Sequence, residues 1–372
     1  MRVLKVDTSR RRDVNRFIEV PFALYRDSPQ WVPPLRGEVR LCLNRDKHPF
    51  YKHSTAEFFL VEADGEGVGR VAIIDNQNYN RYHDTQTAFF YLFECIDDVD
   101  AAHALVDAAV DWARGRGLTT IKGPRGLLAG DGIGLLVDGF QHRPAVGIPF
   151  NLPYYDQLVV SCGFTKESDF YSGYLPGDYA LNPRYAEVAA KVMERRGLRI
   201  QTFGSKRELV SWAPRIREVY NDSFRDGEGH FPLTEGELSV VAERLLSIAD
   251  HRLIKLVMKG EEVIGFLFAF HDISAALQRI KGRLWPLGWL VLMREFKRTE
   301  WVNVNGIGLL PEHRGVGANA VLYTEMAKSV HAFGFKHADV VQIEDKNAKS
   351  RAEMAALGVQ WYKTHRVYRR AV

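Results

Sequence analysis

Residues 312–323, with the sequence EHRGVGANAVLY, decide how the rest of the chain is interpreted. Arg314 stands just before Gly315 and Gly317, and a run of good helix formers begins near Asn319. The first amides of a helix have no partner within it and carry the positive end of its dipole, so they suit a phosphate. Glycine lets the backbone curl and lets a bulky diphosphate approach, and an arginine adds a fixed positive charge. The alternative is a plain flexible loop, but together these features predict a diphosphate-binding loop between a strand and a helix.

Length and composition indicate a globular protein of more than one domain. The chain has 372 residues, and a prior of about 150 residues per domain suggests two or three domains. Hydrophobic residues make up 46% of the chain and charged residues 26%, which excludes disorder. The formal charge of +4 comes from 50 basic against 46 acidic side chains spread along the whole chain. We therefore expect no nucleic-acid partner.

The three cysteines and the apolar pattern of the chain indicate the cellular compartment of the protein. Cys42, Cys95 and Cys162 are scattered and form no CxxC motif, so neither a disulfide framework nor a metal site is expected. No stretch approaches the roughly 20 apolar residues of a transmembrane helix, and the N-terminus has no apolar signal core. These features predict a cytoplasmic protein. The sequence leaves the oligomeric state open, and a homo-oligomer is compatible with it.

Two halves of the chain repeat the same order of elements. Each begins with a β-hairpin, at 57–75 and at 252–272, whose turn contains Gly-Glu between β-branched and aromatic residues. Each continues with a third strand, an amphipathic helix ending near glycines, a short strand, a short helix and an aromatic-rich strand. The stretch PGDYALNP, 176–183, has the Pro and Gly expected at a junction. The sequence therefore predicts a duplication, with domains at 1–178 and 179–372.

The loop resembles the acyl-CoA pyrophosphate loop of the GCN5-related N-acetyltransferases (GNAT), whose pattern is Gln/Arg-x-x-Gly-x-Gly/Ala. Arg314 and Gly317 match this pattern, and Asn319 takes the place of the last small residue. The order of elements in both halves is also similar to the order of that fold. Three segments resemble a subgroup with two such domains in tandem: NLPYYDQLVVSCGF, LQRIKGRLWPLGWL and GVQWYKTHRVYRR. The resemblance implies an α/β (α+β) fold of two tandem domains, each a mixed, mostly antiparallel sheet flanked by helices.

The resemblance also implies a binding site for acetyl-CoA or another acyl-CoA. In that family the strand before the loop splays from its neighbour, and its free backbone groups pair with pantetheine. Glycines inside that strand, Gly306 and Gly308, fit a bulge there. An asparagine near the pantetheine arm falls on Asn347. The implied cofactor-binding residues are Gly308, Leu309, Leu310, Arg314, Gly315, Val316, Gly317, Ala318, Asn319 and Asn347.

The implied chemistry is direct attack of an amine on the thioester, with a small-molecule or peptide amine as acceptor. A general base must remove a proton from the ammonium, and Glu344 is the candidate, with Asp345 beside it. The tyrosine that often protonates the departing thiolate in the family falls on Met354, which cannot donate a proton. Tyr323, Tyr362 or water would then serve, or no acid at all. We take Glu344 and Tyr323 as the candidate catalytic residues.

The corresponding loop of the first half has a different character. After the third strand it contains Asp97, Asp98 and Asp100, with no glycine and no arginine. Carboxylates suit a helix N-terminus as caps but would repel a diphosphate. We therefore expect the first half to lack the cofactor site and to supply one wall of an acceptor cleft.

Other patterns compete with this interpretation. HALVD, 103–107, contains the His-x-x-x-Asp of another acyltransferase class, but a surface histidine on a helix explains it better. The glycine-rich stretch 130–139 is interpreted as a structured loop. The insertion 273–298 has a dense cluster of apolar residues among basic ones; domain packing is the expected explanation, and a membrane surface or a pocket cover is the alternative. Two other functions remain open: a non-catalytic acyl-CoA sensor, and a transferase of the same fold that uses aminoacyl-tRNA.

Overall fold

The computed structural model describes residues 1–128, 130–225 and 229–372. Within these ranges the strands are β1 (Arg2–Lys5), β2 (Thr55–Ala63), β3 (Glu66–Asp75), β4 (Thr87–Cys95), β5 (Thr120–Gly123), β6 (Leu135–Asp138), β7 (Thr165–Pro176), β8 (Leu198–Gln201), β9 (Ile254–Lys259), β10 (Glu262–His271), β11 (Trp301–Leu309), β12 (His337–Glu344) and β13 (Gln360–Ala371).

The helices within the same ranges flank this set of strands. They are α1 (Arg11–Leu24), α2 (Arg36–Leu43), α3 (Gln77–His83), α4 (Val99–Arg114), α5 (Tyr155–Ser161), α6 (Pro183–Arg196), α7 (Lys206–Ser211), α8 (Ala213–Ser223), α9 (Glu235–Ile248), α10 (Ser274–Ile280), α11 (Gly288–Phe296), α12 (Ala318–Phe333) and α13 (Ala348–Ala356). In the part of the chain that is described, no helix combines the length and the apolar character needed to cross a bilayer.

All the described strands belong to one continuous sheet. Its order is β1-β2-β3-β4-β5-β13-β7-β12-β11-β10-β9-β8, with β6 paired to β13 beside this path. The two ends of the sheet repeat one arrangement, because β8 to β12 follow one another as β1 to β5 do. The β4–β5 and β11–β12 pairs are parallel, and the other pairs are antiparallel. The sheet is therefore mixed and mostly antiparallel.

The final strand of each half lies beside the other half. β13 pairs with β5, for example through Tyr368 and Gly123, and β7 pairs with β12, for example through Ala338 and Leu175. The two exchanged strands also pair with each other along most of their length. The division of the chain into 1–178 and 179–372 therefore stays a prediction about sequence, because the sheet is continuous across it.

Both hairpins form where the sequence predicts them. Asp64 and Gly65 at the first turn have φ of 53° and 84°, and Gly260 at the second has φ of 58°. Left-handed backbone at these positions matches the twist of the flanking strands, which explains the turns Asp64-Gly65 and Gly260-Glu261. The third strand and the helix after it also form in each half.

Helices cover both faces of the sheet at each end. Alternate residues of β3 point to opposite faces, so Ile73 packs with α4 and α5 while Ile74 packs with α1 and α2. In the second half α6 and α12 cover one face, where Leu322 and Leu267 are buried, and α8 covers the other. Helices α2 and α6 to α9 lie in segments for which no helix is predicted from the sequence. The 130–139 stretch, interpreted as a loop, contains the short strand β6.

Candidate functional site

Strands β11 and β12 separate in the middle of the sheet. Their parallel pairing runs from Trp301 opposite His337 to Val304 opposite Val340 and then stops, although β11 continues to Leu309 and β12 to Glu344. Beyond that point β12 keeps only its pairing with β7, which lies along its other edge from His337 to Glu344. The separation leaves the second part of β11 without β12 as a hydrogen-bonding neighbour.

A bulge in β11 lies at this point. Leu267 of β10 pairs with Ile307, and Ala269 pairs with Val304. Between these two pairs β11 has two residues where β10 has one, so β11 contains one extra residue. Gly306 lies in the bulge with φ of 99°, a conformation that glycine adopts without a steric cost. The bulge that the sequence predicts from the strand glycines is therefore present.

The glycine-rich stretch forms a loop directly before α12. Gly315 and Gly317 have φ of 75° and 88°, and Gly317 is the N-cap residue, with no side chain that caps the helix. A side chain at Gly315 would meet nothing within 4 Å, whereas one at Gly317 would come within 2.8 Å of Val192 on α6. The space that a side chain at Gly317 would need is therefore occupied by Val192. Gly315 faces open space, so it is the glycine that a diphosphate could approach.

Arg314 is turned toward protein groups in this structure. Its Nε donates to the carbonyl oxygen of Leu309 at 3.3 Å, and its Nη2 donates to the carbonyl oxygen of Ser223 at 2.9 Å. The side chain thus ties the loop to the end of β11 and to the end of α8. The sequence predicts that the charge of Arg314 binds a diphosphate. In this structure the guanidinium group also holds the loop in place through these two hydrogen bonds.

The remaining residues around the loop are partly engaged within the protein. The backbone N–H of Leu310 donates to the carbonyl oxygen of Ile264 at 3.0 Å. A side chain at Gly308 would come within 2.7 Å of Phe266, so glycine at this position has a packing reason. Val316 packs against the core of the second half, and Ala318 is fully buried at the start of α12.

Asn319 and Tyr323 share one partner on α13. The amide nitrogen of Asn319 donates to Glu353 at 2.8 Å, and the hydroxyl of Tyr323 donates to the same carboxylate oxygen at 3.1 Å. Burial and the neighbouring Glu353 raise the pKa of Tyr323. Tyr323 is thus protonated at neutral pH, but its proton points toward Glu353.

Glu344 and Asn347 lie where β12 ends and α13 begins, and both line a large cavity. Asn347 caps α13, because its side-chain oxygen accepts from the N–H of Ser350 at 3.1 Å. Met354, at the position where the GNAT pattern has a tyrosine, is buried and lines the same cavity. Tyr362, the other tyrosine considered as an acid, donates instead to Asp339 at 2.5 Å.

The cavity beside the separated strands has a volume of about 590 Å³ and is lined mostly by apolar side chains. A second cavity of about 290 Å³ shares wall residues with it, so the two adjoin. The shared residues come from the insertion of the first half, from α9 and from β11: Gly130, Asp131, Gly132, Val146, Gly147, Ile148, Arg244, Leu245 and Asn305.

An ion pair that the sequence did not reveal lies in this shared wall. Arg244 Nη1 lies 2.7 Å from Asp131 Oδ1, and the Asp131 side chain is 4% exposed. Arg125, which is half-buried, lines the first cavity, and desolvation lowers its pKa. The sequence signal for this site is the pair Gly130 and Gly132, which flank Asp131. Their spacing matches no known ligand-binding motif.

The equivalent place in the first half is filled by the chain's own side chains. The Tyr155 hydroxyl lies 3.2 Å from the N–H of Cys95, and the Tyr154 hydroxyl donates to the carbonyl oxygen of Cys95 at 2.8 Å. Asp98 is the N-cap of α4 and accepts from the N–H of Ala101 at 2.9 Å. The expected capping by a carboxylate is present, and the backbone at the end of β4 is already paired.

A group of possible metal ligands lies next to the loop. Glu262, Glu312 and His313 have ligand atoms within 4.8 Å of one another. Both carboxylates are exposed, and exposed acidic groups commonly approach one another without a metal ion. This group is not by itself a site, and we assign it no role.

Comparisons with known proteins support the fold. No protein-family model matches the chain. Protein YghO of Escherichia coli (strain K12) is 25% identical over 375 residues, covering 97% of this chain and 94% of that protein. A bacterial ceramide synthase of Caulobacter vibrioides (strain NA1000 / CB15N) is 26% identical over 370 residues, covering 97% and 95%.

A tandem GNAT protein from the clavulanic acid biosynthesis pathway is similar in structure. Its TM-score is 0.57 at 12% identity, and the match covers 100% of this chain and 98% of that one. The fold of the chain is therefore that of the GCN5-related N-acetyltransferases in tandem form, as its sequence predicts.

Proposed function

We propose that the protein is an acyl-CoA-dependent N-acyltransferase whose donor site lies in the second half. The diphosphate of CoA would meet Gly315 and the first amides of α12, and pantetheine would follow the separated part of β11. This assignment extends the sequence prediction for the stretch from Gly308 to Asn319. In this proposal Asn347 lies beside the pantetheine arm.

The observation that carries the proposal is the contrast between the two halves. In both halves the pairing of the third strand with the parallel strand that follows it stops early, at Val304 in β11 and at Phe89 in β4. In the second half no side chain caps α12. In the first half Asp98 caps α4, and tyrosines pair with the end of β4. A chain built from two similar units thus keeps an open groove in one of them.

The adjoining cavities favour a long apolar chain on at least one substrate. Leu128, Ile133, Phe268 and Met326 are among the apolar side chains that line the larger one. Burial of each methylene group contributes about 0.8 kcal/mol, so a mostly apolar cavity selects for chain length. The similar protein from Caulobacter vibrioides is named a ceramide synthase. A ceramide is a fatty amide of a long-chain amino alcohol, and we propose acceptors of that class, long-chain amines, over peptides.

The reaction needs few protein groups. The amine nitrogen attacks the thioester carbonyl, a base removes a proton from nitrogen, and the C–S bond breaks to release CoA thiolate, which takes up a proton. Glu344 lines the cavity and stays our candidate base. Tyr323 could protonate the thiolate only after its hydrogen bond to Glu353 is exchanged.

The test is turnover with paired panels of substrates. We would incubate the full chain with acyl-CoAs from acetyl to palmitoyl and with amines that include a sphingoid base and a peptide. Release of free CoA would be measured together with the mass of the amide. The expected result is amide formation that increases with chain length. Binding of one CoA per chain without any amide would instead indicate a sensor, and absence of CoA binding would reject the donor site.

A further inference from the structure

The 281–298 segment, which comprises α11 and the residues around it, presents a concentrated apolar surface. Eleven large apolar side chains are exposed among the described residues, and six of them lie between positions 284 and 293. Trp285 is 83% exposed and Leu287 is 64% exposed. The domain packing expected from the sequence for 273–298 is therefore present in the first part of the insertion, where Gln278 contacts the first half, and wrong for 284–293, whose apolar side chains face outward. The six are Leu284, Trp285, Leu287, Trp289, Leu290 and Met293.

The same segment is strongly basic. Five cations are exposed along it, and none of them forms an ion pair with a residue in the described ranges. Its single acidic residue, Glu295, is buried and paired with Arg279 on α10. An exposed apolar surface with tryptophans, surrounded by unpaired cations, complements the interface of an anionic bilayer. The cations are Lys281, Arg283, Arg294, Lys297 and Arg298.

Residues at the start of the 281–298 segment, and α10 just before it, contact the first half. Gln278 donates to the carbonyl oxygens of Pro29 and Trp31 at 2.7 and 3.0 Å, and the N–H of Arg36 donates to the carbonyl oxygen of Gly282 at 3.0 Å. A side chain at Gly282 would come within 2.2 Å of the Pro34 carbonyl oxygen, so the backbones at Gly282 and Pro34 are in contact. The exposed tip is thus fixed in orientation relative to the sheet.

The place where the segment is held is also the wall of the second cavity. Trp31, Pro33, Pro34 and Leu277 line that cavity, which adjoins the larger one beside the separated strands. A lipid chain that leaves a bilayer at the 281–298 segment would therefore lie next to the lining of the second cavity, which extends to Ile148.

We propose that the 281–298 segment binds the protein to the surface of an anionic lipid bilayer, with Trp285 and Leu287 inserted at the interface. The bilayer contact rests on the exposure and the charge of the segment. The use of the second cavity as the entrance for a lipid chain rests in addition on the proposed function.

The test is co-sedimentation of the full chain with extruded vesicles, either of phosphatidylcholine alone or of equal parts phosphatidylcholine and phosphatidylglycerol. Binding is expected to the mixed vesicles and to weaken in high salt. The triple change Trp285→Ser, Leu287→Ser and Trp289→Ser should lower partitioning at least about tenfold. The control is Val160→Ser with Val210→Ser, two exposed apolar residues elsewhere, which should change nothing.

A second pair of variants tests the charge. Replacing Arg294, Lys297 and Arg298 by Gln should lower binding to the mixed vesicles by roughly fivefold per cation, with no effect on phosphatidylcholine alone. The matched control neutralises three exposed cations on α6: Lys191, Arg195 and Arg196.

Three outcomes would overturn the proposal. One is a parent protein that ignores mixed vesicles, and another is a tryptophan variant that binds them as well as the parent does. The third is a concentration-dependent dimer that the tryptophan variant loses while vesicles have no effect, since a second copy of the chain would then cover this surface. The assay requires neither acyl-CoA nor turnover. An inactive protein that binds vesicles would thus reject the proposed function and leave this inference standing.

Discussion

Replacement of Ile148 by tryptophan should shorten the substrate chain that the protein accepts. Ile148 is half-buried and lies in the wall shared by the two cavities. A tryptophan ring at this position would project into the passage between them. A chain would then be confined to the larger cavity of about 590 Å³ and would lose the adjoining 290 Å³.

The size of the effect follows from the burial of methylene groups. Each one that loses its place costs about 0.8 kcal/mol, or roughly a factor of four. A chain about four methylenes too long for the shortened cavity would lose about 3 kcal/mol, on the order of a hundredfold in kcat/KM. Chains that fit within the larger cavity should keep their parent values. The new side chain fills open space, so the thermal midpoint should change little.

The assay is kcat/KM for a series of acyl-CoAs with one amine, followed by a series of amines with one acyl-CoA. Whichever series shows the shortened optimum identifies the substrate whose chain enters the second cavity. Val160→Trp, at an exposed position on α5, is the matched control. A uniform loss across all chain lengths, or an unchanged profile in both series, would refute the reasoning.

Three further predictions concern single residues. Gly315→Val should weaken CoA binding at least about tenfold by calorimetry, because φ of 75° disfavours a branched side chain, and the same backbone strain should lower the free energy of unfolding by about 1–3 kcal/mol although no atom lies within 4 Å of the new side chain. Asp98→Ala should cost about 1 kcal/mol of stability by urea unfolding, because α4 loses its cap, and should leave CoA affinity unaltered. His365 is buried, and burial lowers its pKa from 6.5 to about 4, so the unfolded chain takes up the proton first as pH falls. The free energy of unfolding should therefore decline between about pH 6.5 and pH 4, by at most about 3 kcal/mol for this residue, and His365→Gln should remove that part of the slope.

The features that were predicted correctly depend on residues that are close together in the sequence. The hairpins, the bulge at Gly306 and the cap at Asp98 each depend on a few neighbouring residues whose backbone preferences agree with the final structure. The loop before α12 belongs to the same group, because its glycines adopt left-handed backbone where the helix begins.

Contacts between distant parts of the chain could not be predicted in this way. β7 and β13 have the same aromatic-rich character, and nothing in a single strand indicates which sheet edge it will join. Gly317 has a second reason to be glycine, the contact with Val192 on α6, and this tertiary contact has no local signal. The same holds for Arg314, whose partner Ser223 lies on α8. A pattern that suits a ligand can thus be satisfied in part by the protein itself.

The exchange of the final strands gives the first half a part in the site although its own groove is filled. β7 pairs with the other edge of β12 from His337 to Glu344, so a strand of the first half supports β12 beyond the point where β11 departs. The insertion after β5 then supplies Asp131 and Ile148 to the walls of both cavities. A second half without this neighbour would have an unpaired edge at β12 and an open side where the apolar cavity now lies. The groove for the donor and the enclosure for an apolar chain therefore come from different halves, and only the continuous sheet brings them together.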